Sequence, residues 1–283
     1  MPDAFLSSWI LFLFMTTNSS SHAPAPQVHE DRKIAVFIDM DNVVLGARDA
    51  KFQKFEVGLI LDRLVEKGDI VVKRAYADWT NHPQYKRTLH ESAIELIDIP
   101  ESRMTGKNSA DIKMVCDAIE LAFTKPHIDT FALVSGDSDF SPLVSKLREN
   151  DKHIIGIGVK NSSSRLLIDN CDEFILYDDL ARATSRRRAP VKGTGNLPKV
   201  KQEAFALLME TVAALQREGK DVIQGSLVKD TIKRKQPQFN EEYHGYNSFG
   251  RLLEDAQRHG LIKLRKDGRS GTWVIDEVLE EGA

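Results

Sequence analysis

The chain has 283 residues, 41% hydrophobic and 29% charged, an ordinary globular mix that excludes a mostly disordered chain and allows one large domain or two smaller ones. Its net charge of −3 is uneven: residues 1–181 hold 20 Lys+Arg against 28 Asp+Glu, a net of −8, while residues 182–283 hold 19 against 14, a net of +5. The two cysteines, Cys116 and Cys171, lie outside any CxxC or Cys/His cluster, which excludes a disulfide framework and argues against zinc.

At the N-terminus, Trp9–Met15 is strongly apolar but too short to span a bilayer. Asp3 is the one charged side chain before it, so the basic n-region of a signal peptide is missing. Residues 1–31 are expected outside the fold, either as a disordered leader or as a mis-assigned segment ahead of a start at Met15.

From Lys33 the pattern alternates between short apolar strands and amphipathic helices. Strands are expected at Ile34–Ile38, Val71–Ala77, Ile94–Ile99, Thr130–Val134, His153–Val159 and Glu173–Tyr177. Helices are expected at Phe55–Lys67, around Pro83–Ser92, from Ser109 to about Phe123, from Ser141-Pro142 to about Glu149, and at Ser164–Asp169. Ile112, Val115, Cys116, Ile119 and Phe123 read as the buried face of the middle helix, with Cys116 a small core side chain. This alternation predicts an α/β domain over residues 32–181, a parallel sheet with helices on both faces. Residues 182–198, with Arg186-Arg187-Arg188, two prolines and Gly193/Gly195, read as a basic linker. Residues 199–283 read as a small, mainly helical module: helices at Val200–Arg217, Ser226–Lys235 and Tyr246–His259, then a hairpin of Leu261–Arg265 and Thr272–Ile275. That is the plan of a winged helix.

Asp39 and Asp137 each close an apolar strand, and in an open parallel sheet the carboxyl edge of the strands carries the site. Asp111 opens the middle helix at the same rim, and Asp139 lies in the turn after Asp137. Carboxylates this crowded disfavour each other's charge and stay ionised together only with a cation between them. Mg²⁺ and Mn²⁺ suit an all-oxygen set. An Asp after a strand is also an ordinary cap or turn former, so the ordered set weighs more than any one member. Asp41 stays open between ligand and surface acid. Asp117 falls about 120° round the helix from Asp111 and is expected to serve indirectly or face solvent.

Two family resemblances compete for these residues. Phe37-Ile38-Asp39-Met40-Asp41-Asn42-Val43-Val44 resembles the first motif of haloacid-dehalogenase-like phosphatases, which implies Asp39 as nucleophile and Asp41 as acid/base. That family's closing motif needs an Asp four residues after Gly-Asp, and Ser141 stands there instead. A fuller resemblance is to the NYN domain family of PIN-like nucleases, over about residues 33–180. It rests on Asp39-Met40-Asp41-Asn42, Lys107-Asn108-Ser109-Ala110-Asp111 and Ser135-Gly136-Asp137-Ser138-Asp139-Phe140. It implies a PIN-like three-layer fold and hydrolysis of RNA with Mg²⁺ or Mn²⁺. Asp39, Asp111 and Asp137 would bind the metal, Asp139 would assist, and Asn42 would orient a phosphate or a water. Ser135 and Lys107 would meet the RNA.

In the tail, Gly245–Glu254 followed by Gly260-Leu261-Ile262 resembles the LOTUS, or OST-type helix-turn-helix, domain. Tyr246, Phe249, Leu252 and Leu253 recur at helical spacing and read as core. The resemblance implies binding of RNA or of a protein. Lys229, Lys233, Arg234, Lys235 and the wing residues Lys266 and Arg269 are the candidate phosphate contacts. The expectation is a cytoplasmic ribonuclease acting on single-stranded RNA without a membrane, with a catalytically inactive RNA-binding adaptor and a phosphatase as the alternatives.

Overall fold

In the computed structural model, the segment Ile34-Ala35-Val36-Phe37-Ile38 has no exposed surface, as a strand with helices on both sides requires. The structure describes residues 32–100, 108–187, 197–220, 222–268 and 271–279. The expected leader at 1–31, Lys107 and Arg269 lie outside the described residues.

The first part runs β1 (Arg32–Asp39), α1 (Met40–Asp49), α2 (Val57–Val65), β2 (Gly68–Ala77), α3 (Pro83–Glu91), β3 (Glu95–Asp98) and α4 (Ser109–Thr124). It continues with β4 (Thr130–Val134), α5 (Ser141–Glu149), β5 (His153–Gly158), α6 (Arg165–Asn170), β6 (Glu173–Leu176) and α7 (Tyr177–Arg187). The six strands are parallel in the order β3-β2-β1-β4-β5-β6. The period of two along β1 divides the core. Ile34, Val36 and Ile38 join Val43, Ile60, Leu64 and Leu89 on the side of α1, α2, α3 and α7. Ala35 and Phe37 join Met114, Ala118, Leu143 and Leu167 on the side of α4, α5 and α6. The chain leaves β1 toward β2 on one side and enters β4 on the other. The β1/β4 boundary is therefore the point where the winding reverses, and a crevice opens at the carboxyl ends there.

Three sequence expectations need correction. Helix α1 was not foreseen; Asp39, expected as a site acid with a cap or turn role as the alternative, is its N-cap and accepts from Asn42 N–H. Helix α7 overruns the expected start of the linker at Arg182. The face of α4 is turned in part from the expected one, although Val115 and Ile119 do pack against the core. Met114, Asp117, Ala118, Leu121 and Ala122 face the sheet, while Cys116 is exposed and Ile112 and Phe123 stand 63% and 64% exposed. The helix is apolar on both sides, so periodicity alone could not choose between them. The small Ala118 and Ala122 let it approach the sheet, and the Asp117 carboxylate is satisfied inside by the Tyr76 hydroxyl at 3.0 Å and by Lys113.

The tail comprises α8 (Lys199–Arg217), β7 (Ile223–Gln224), α9 (Gly225–Lys235), α10 (Phe249–Arg258), β8 (Ile262–Lys266) and β9 (Trp273–Val278). The three strands form an antiparallel sheet in the order β7-β9-β8. Tyr246, Phe249, Leu252 and Leu253 pack with Phe205, Leu208 and Ile232 in one core. Gly260 ends α10 at φ +69°, a left-handed position that suits glycine.

Ion pairs join the tail to the sheet domain. Glu66, buried just after α2, takes Lys235 at 2.8 Å, Arg63 at 2.8 Å and Arg217 at 3.3 Å. Lys67 holds Glu218 at 2.6 Å and Arg234 approaches Asp69 at 3.6 Å. Gly68 and Asp69 pair with Arg32 and Lys33 at the amino end of β1, so this contact lies across the sheet from the carboxyl-edge crevice. Burial alone would raise the Glu66 carboxyl, but Lys235 and Arg63 outweigh it and hold it below the ordinary glutamate range. That stabilisation is present above the unfolded value and is lost as pH falls through the lower, folded one. Lys235→Ala is expected to cost about 2 kcal/mol, less than the full loss of a buried pair because Glu66 keeps two arginines. Urea denaturation at pH 7 checks this, and the deficit should shrink in acid.

Candidate active site

Asp39 ends β1 and is 6% exposed. Its Oδ1 accepts from Asn42 N–H at 3.2 Å and its Oδ2 from the Ser135 hydroxyl at 2.9 Å. Burial pushes its carboxyl up to about 7 against those two hydrogen bonds, and the charges of Asp111 and Asp41 add to the rise. Asp111, in the first turn of α4, is also raised, by burial first and then by Asp137, Asp139 and Asp41. Two parallel strands, a helix start and a turn thus bring Asp39, Asp41, Asp111, Asp137 and Asp139 into one electrostatic group at the carboxyl edge.

The loop after β4 is built on glycine. A Cβ at Gly136 would stand 2.5 Å from the Ser162 carbonyl oxygen, and Gly136 O accepts from Ser164 N–H at 2.8 Å. Asn42 Oδ1 accepts from Gly136 N–H at 2.8 Å, which ties α1 to this loop. Ser135 Oγ also accepts from Asp137 N–H at 3.1 Å, and Asp137 Oδ1 caps the following 3₁₀ turn, Ser138–Phe140, through Asp139 N–H at 3.0 Å.

Some expected roles change with this geometry. Ser135 has no exposed surface, and its hydroxyl is engaged with Asp39. The Asn42 carbonyl oxygen is engaged in holding the loop. Asp117 neither joins the acids nor faces solvent; it is a buried partner of Tyr76. Lys235 and Arg234 are committed to the interdomain pairs across the sheet, and Lys229 to Glu241 at 2.6 Å. Lys266 lies over the Trp273 ring, and Lys233 is exposed on α9. Sequence reasoning missed His82. It is almost fully buried at the N-terminus of α3, and its Nε2 lies 2.5 Å from Asp41 Oδ1. Only the fold brings these two together.

Among the described residues no three acid, imidazole or thiol groups come together as a ready-made metal cage. The donor set is nonetheless all oxygen, and the Asp39 and Asp111 carboxyls are raised first by burial and then by their acidic neighbours. This suits a hard ion such as Mg²⁺, which keeps several waters and binds through one or two carboxylates and a substrate phosphate. Asp39, Asp111 and Asp137 are the side chains that would face it. Ser135→Ala is expected to lower metal affinity about 10–100-fold, as for other groups that orient a ligand, with the fold retained. Titration with Mn²⁺ beside a circular-dichroism melt separates the two effects.

The NYN domain model matches residues 33–178. An uncharacterized protein of Methanocaldococcus jannaschii is 33% identical over 146 residues, 51% of this chain and 55% of that protein. The chain thus spans about half the length of that curated relative. The crystal structure of a protein of unknown function from Vibrio parahaemolyticus is 30% identical, covering 54% of this chain and 98% of that one, with a TM-score of 0.48.

Proposed function

The chain belongs to the NYN domain family, and from that premise we propose that it is a divalent-metal-dependent ribonuclease that hydrolyses single-stranded RNA at the carboxyl edge of its sheet. The observation that carries this reading is the buried Asp39, ending β1, with a carboxyl raised by burial and by neighbouring acids at the winding reversal. A bound Mg²⁺ or Mn²⁺ would supply charge compensation and a more acidic water. The chain's own part is positional. Ser135 and Asn42 N–H hold Asp39, Asn42 Oδ1 holds the Gly136 loop, and His82 holds Asp41. Asp139, exposed beside Asp137, is the acid best placed to meet solvent or substrate.

The tail, with its resemblance to LOTUS domains, is proposed as a module for RNA or a protein partner. Its exposed Lys233, rather than the docked Lys235, would meet a phosphate. Among the described residues no helix is long and apolar enough to cross a membrane, and a cytoplasmic setting accords with the proposed substrate. A second reading is an RNA-binding adaptor that keeps the fold without catalysis.

Incubating the full chain with labelled RNA and with a phosphomonoester, in Mn²⁺ and in EDTA, tells these readings apart. The nuclease cleaves RNA in Mn²⁺ alone. The adaptor binds RNA without cleaving it, and turnover of the phosphomonoester alone would point to the phosphatase.

A further inference from the structure

Beside the acids, α4 and the segment from the 3₁₀ turn into α5 and α6 enclose a cleft of about 720 Å³. Asp111 and Asp139 belong both to this cleft and to the acid group. Away from them the walls turn apolar: Ile112 and Leu166, exposed by 63% and 59%, and Cys116, exposed on the same face of α4. Exposed side chains of this kind, grouped at a site, mark a binding surface. Ser141 also borders the cleft. It is 7% exposed and, among the described residues, its hydroxyl has no hydrogen-bond partner, an unusual state for a buried polar group.

We propose that this cleft receives an unpaired nucleobase of the nucleic acid whose phosphate lies at the acids. The inference rests on the nuclease reading for the phosphate and on the cleft's own chemistry for the base. Among the described residues no lysine or arginine lines the cleft. A base is neutral and flat, with apolar faces and polar edges. Aliphatic walls take the faces. Its volume lies in the ordinary range for small-molecule sites. Because Asp111 and Asp139 line it as well as belonging to the acid group, a strand crossing the acids brings its next base to the cleft. A second copy of this chain would cover the same apolar face but would make no use of Asp111 and Asp139.

Cys116 serves as a reporter. The 283-residue chain in Mg²⁺ is alkylated with N-ethylmaleimide, and Cys116 and the partly buried Cys171 are followed separately by mass spectrometry. The probes are a saturating oligouridylate decamer and the same decamer with its bases removed. The decamer is expected to slow alkylation of Cys116 about tenfold, within what one stacked base contributes to binding. The abasic strand should leave it unchanged, and Cys171 should not respond. Leu166→Glu, at an exposed position, should remove the protection. Equal protection by both strands, protection by neither, or slowing that follows protein concentration alone would overturn the proposal; the last would mark a protein interface. Cleavage is read in the same samples. Cleavage without base-dependent protection sinks the cleft and spares the nuclease. Base-dependent protection without cleavage in Mg²⁺ or Mn²⁺ does the reverse.

Discussion

Asp39→Asn is expected to make the metal-free protein more stable at pH 8, by about 2–4 kcal/mol, although it removes a central acid of the site. The reason is the raised carboxyl. Asp39 keeps its proton in the folded chain up to about pH 7, whereas in the unfolded chain it releases it near the ordinary 3.8. Below pH 3.8 both states are protonated and the group has no effect on stability. Between 3.8 and 7 the folded state binds more protons, so stability falls as pH rises, and above 7 the full penalty is present. Asn carries no charge to desolvate and caps a helix as well as Asp, so the Asn42 N–H bond survives. Ser135 must reverse its hydroxyl to accept from the new amide, which takes back part of the gain. The stability gap between variant and wild type should therefore open between pH 4 and 7 and stay constant above. Saturating Mn²⁺ should narrow it, since an ion that binds only the folded wild type stabilises by mass action, about 2.7 kcal/mol at a hundredfold excess over its Kd. Thermal melts across pH, with EDTA or Mn²⁺, test this. A variant less stable than wild type in EDTA at pH 8 would mean that Asp39 is not a strained charge.

Asp137→Asn is expected to lower RNA cleavage at least 100-fold with little change in stability. Asn keeps the acceptor that caps the 3₁₀ turn through Asp139 N–H, so the loop should hold its shape. What it loses is a negative charge facing Asp111. Loss of a group that only orients a ligand typically costs about 10–100-fold, and a facing acid should exceed that. Single-turnover rates at saturating Mn²⁺, together with a melting curve, measure both parts. A loss below tenfold with an unchanged melt would move Asp137 from the chemistry to the cap.

The parallel sheet was legible because each strand is a short apolar segment between turn formers, and the strand ends then located Asp39 and Asp137. What escaped has physical causes. Helix α1 follows β1 with no intervening turn residues, and its start signal is Asp39 acting as cap, which the sequence offered only as a general alternative for an Asp after a strand. The face of α4 was misread because the helix carries apolar residues on both sides. The side facing the sheet was chosen by small alanines and by the buried partner of Asp117. That misreading concealed the cleft, since Ile112 and Cys116 were assigned to the core. The basic residues of α9 looked free for phosphate because a sequence does not reveal that Glu66, more than 160 positions earlier, would bind Lys235. His82 carries no local signal at all; Asp41 reaches it only through the fold.

The central claim is that the carboxyl-edge acids act together, with a divalent ion, on a phosphodiester bond. Its most direct test is cleavage of end-labelled single-stranded RNA by the full chain in Mn²⁺, beside EDTA and beside Asp39→Asn and Asp137→Asn. The expected result is cleavage by wild type in Mn²⁺ alone, with both variants reduced at least about 100-fold. Cleavage that survives in EDTA, or in both variants, would contradict it.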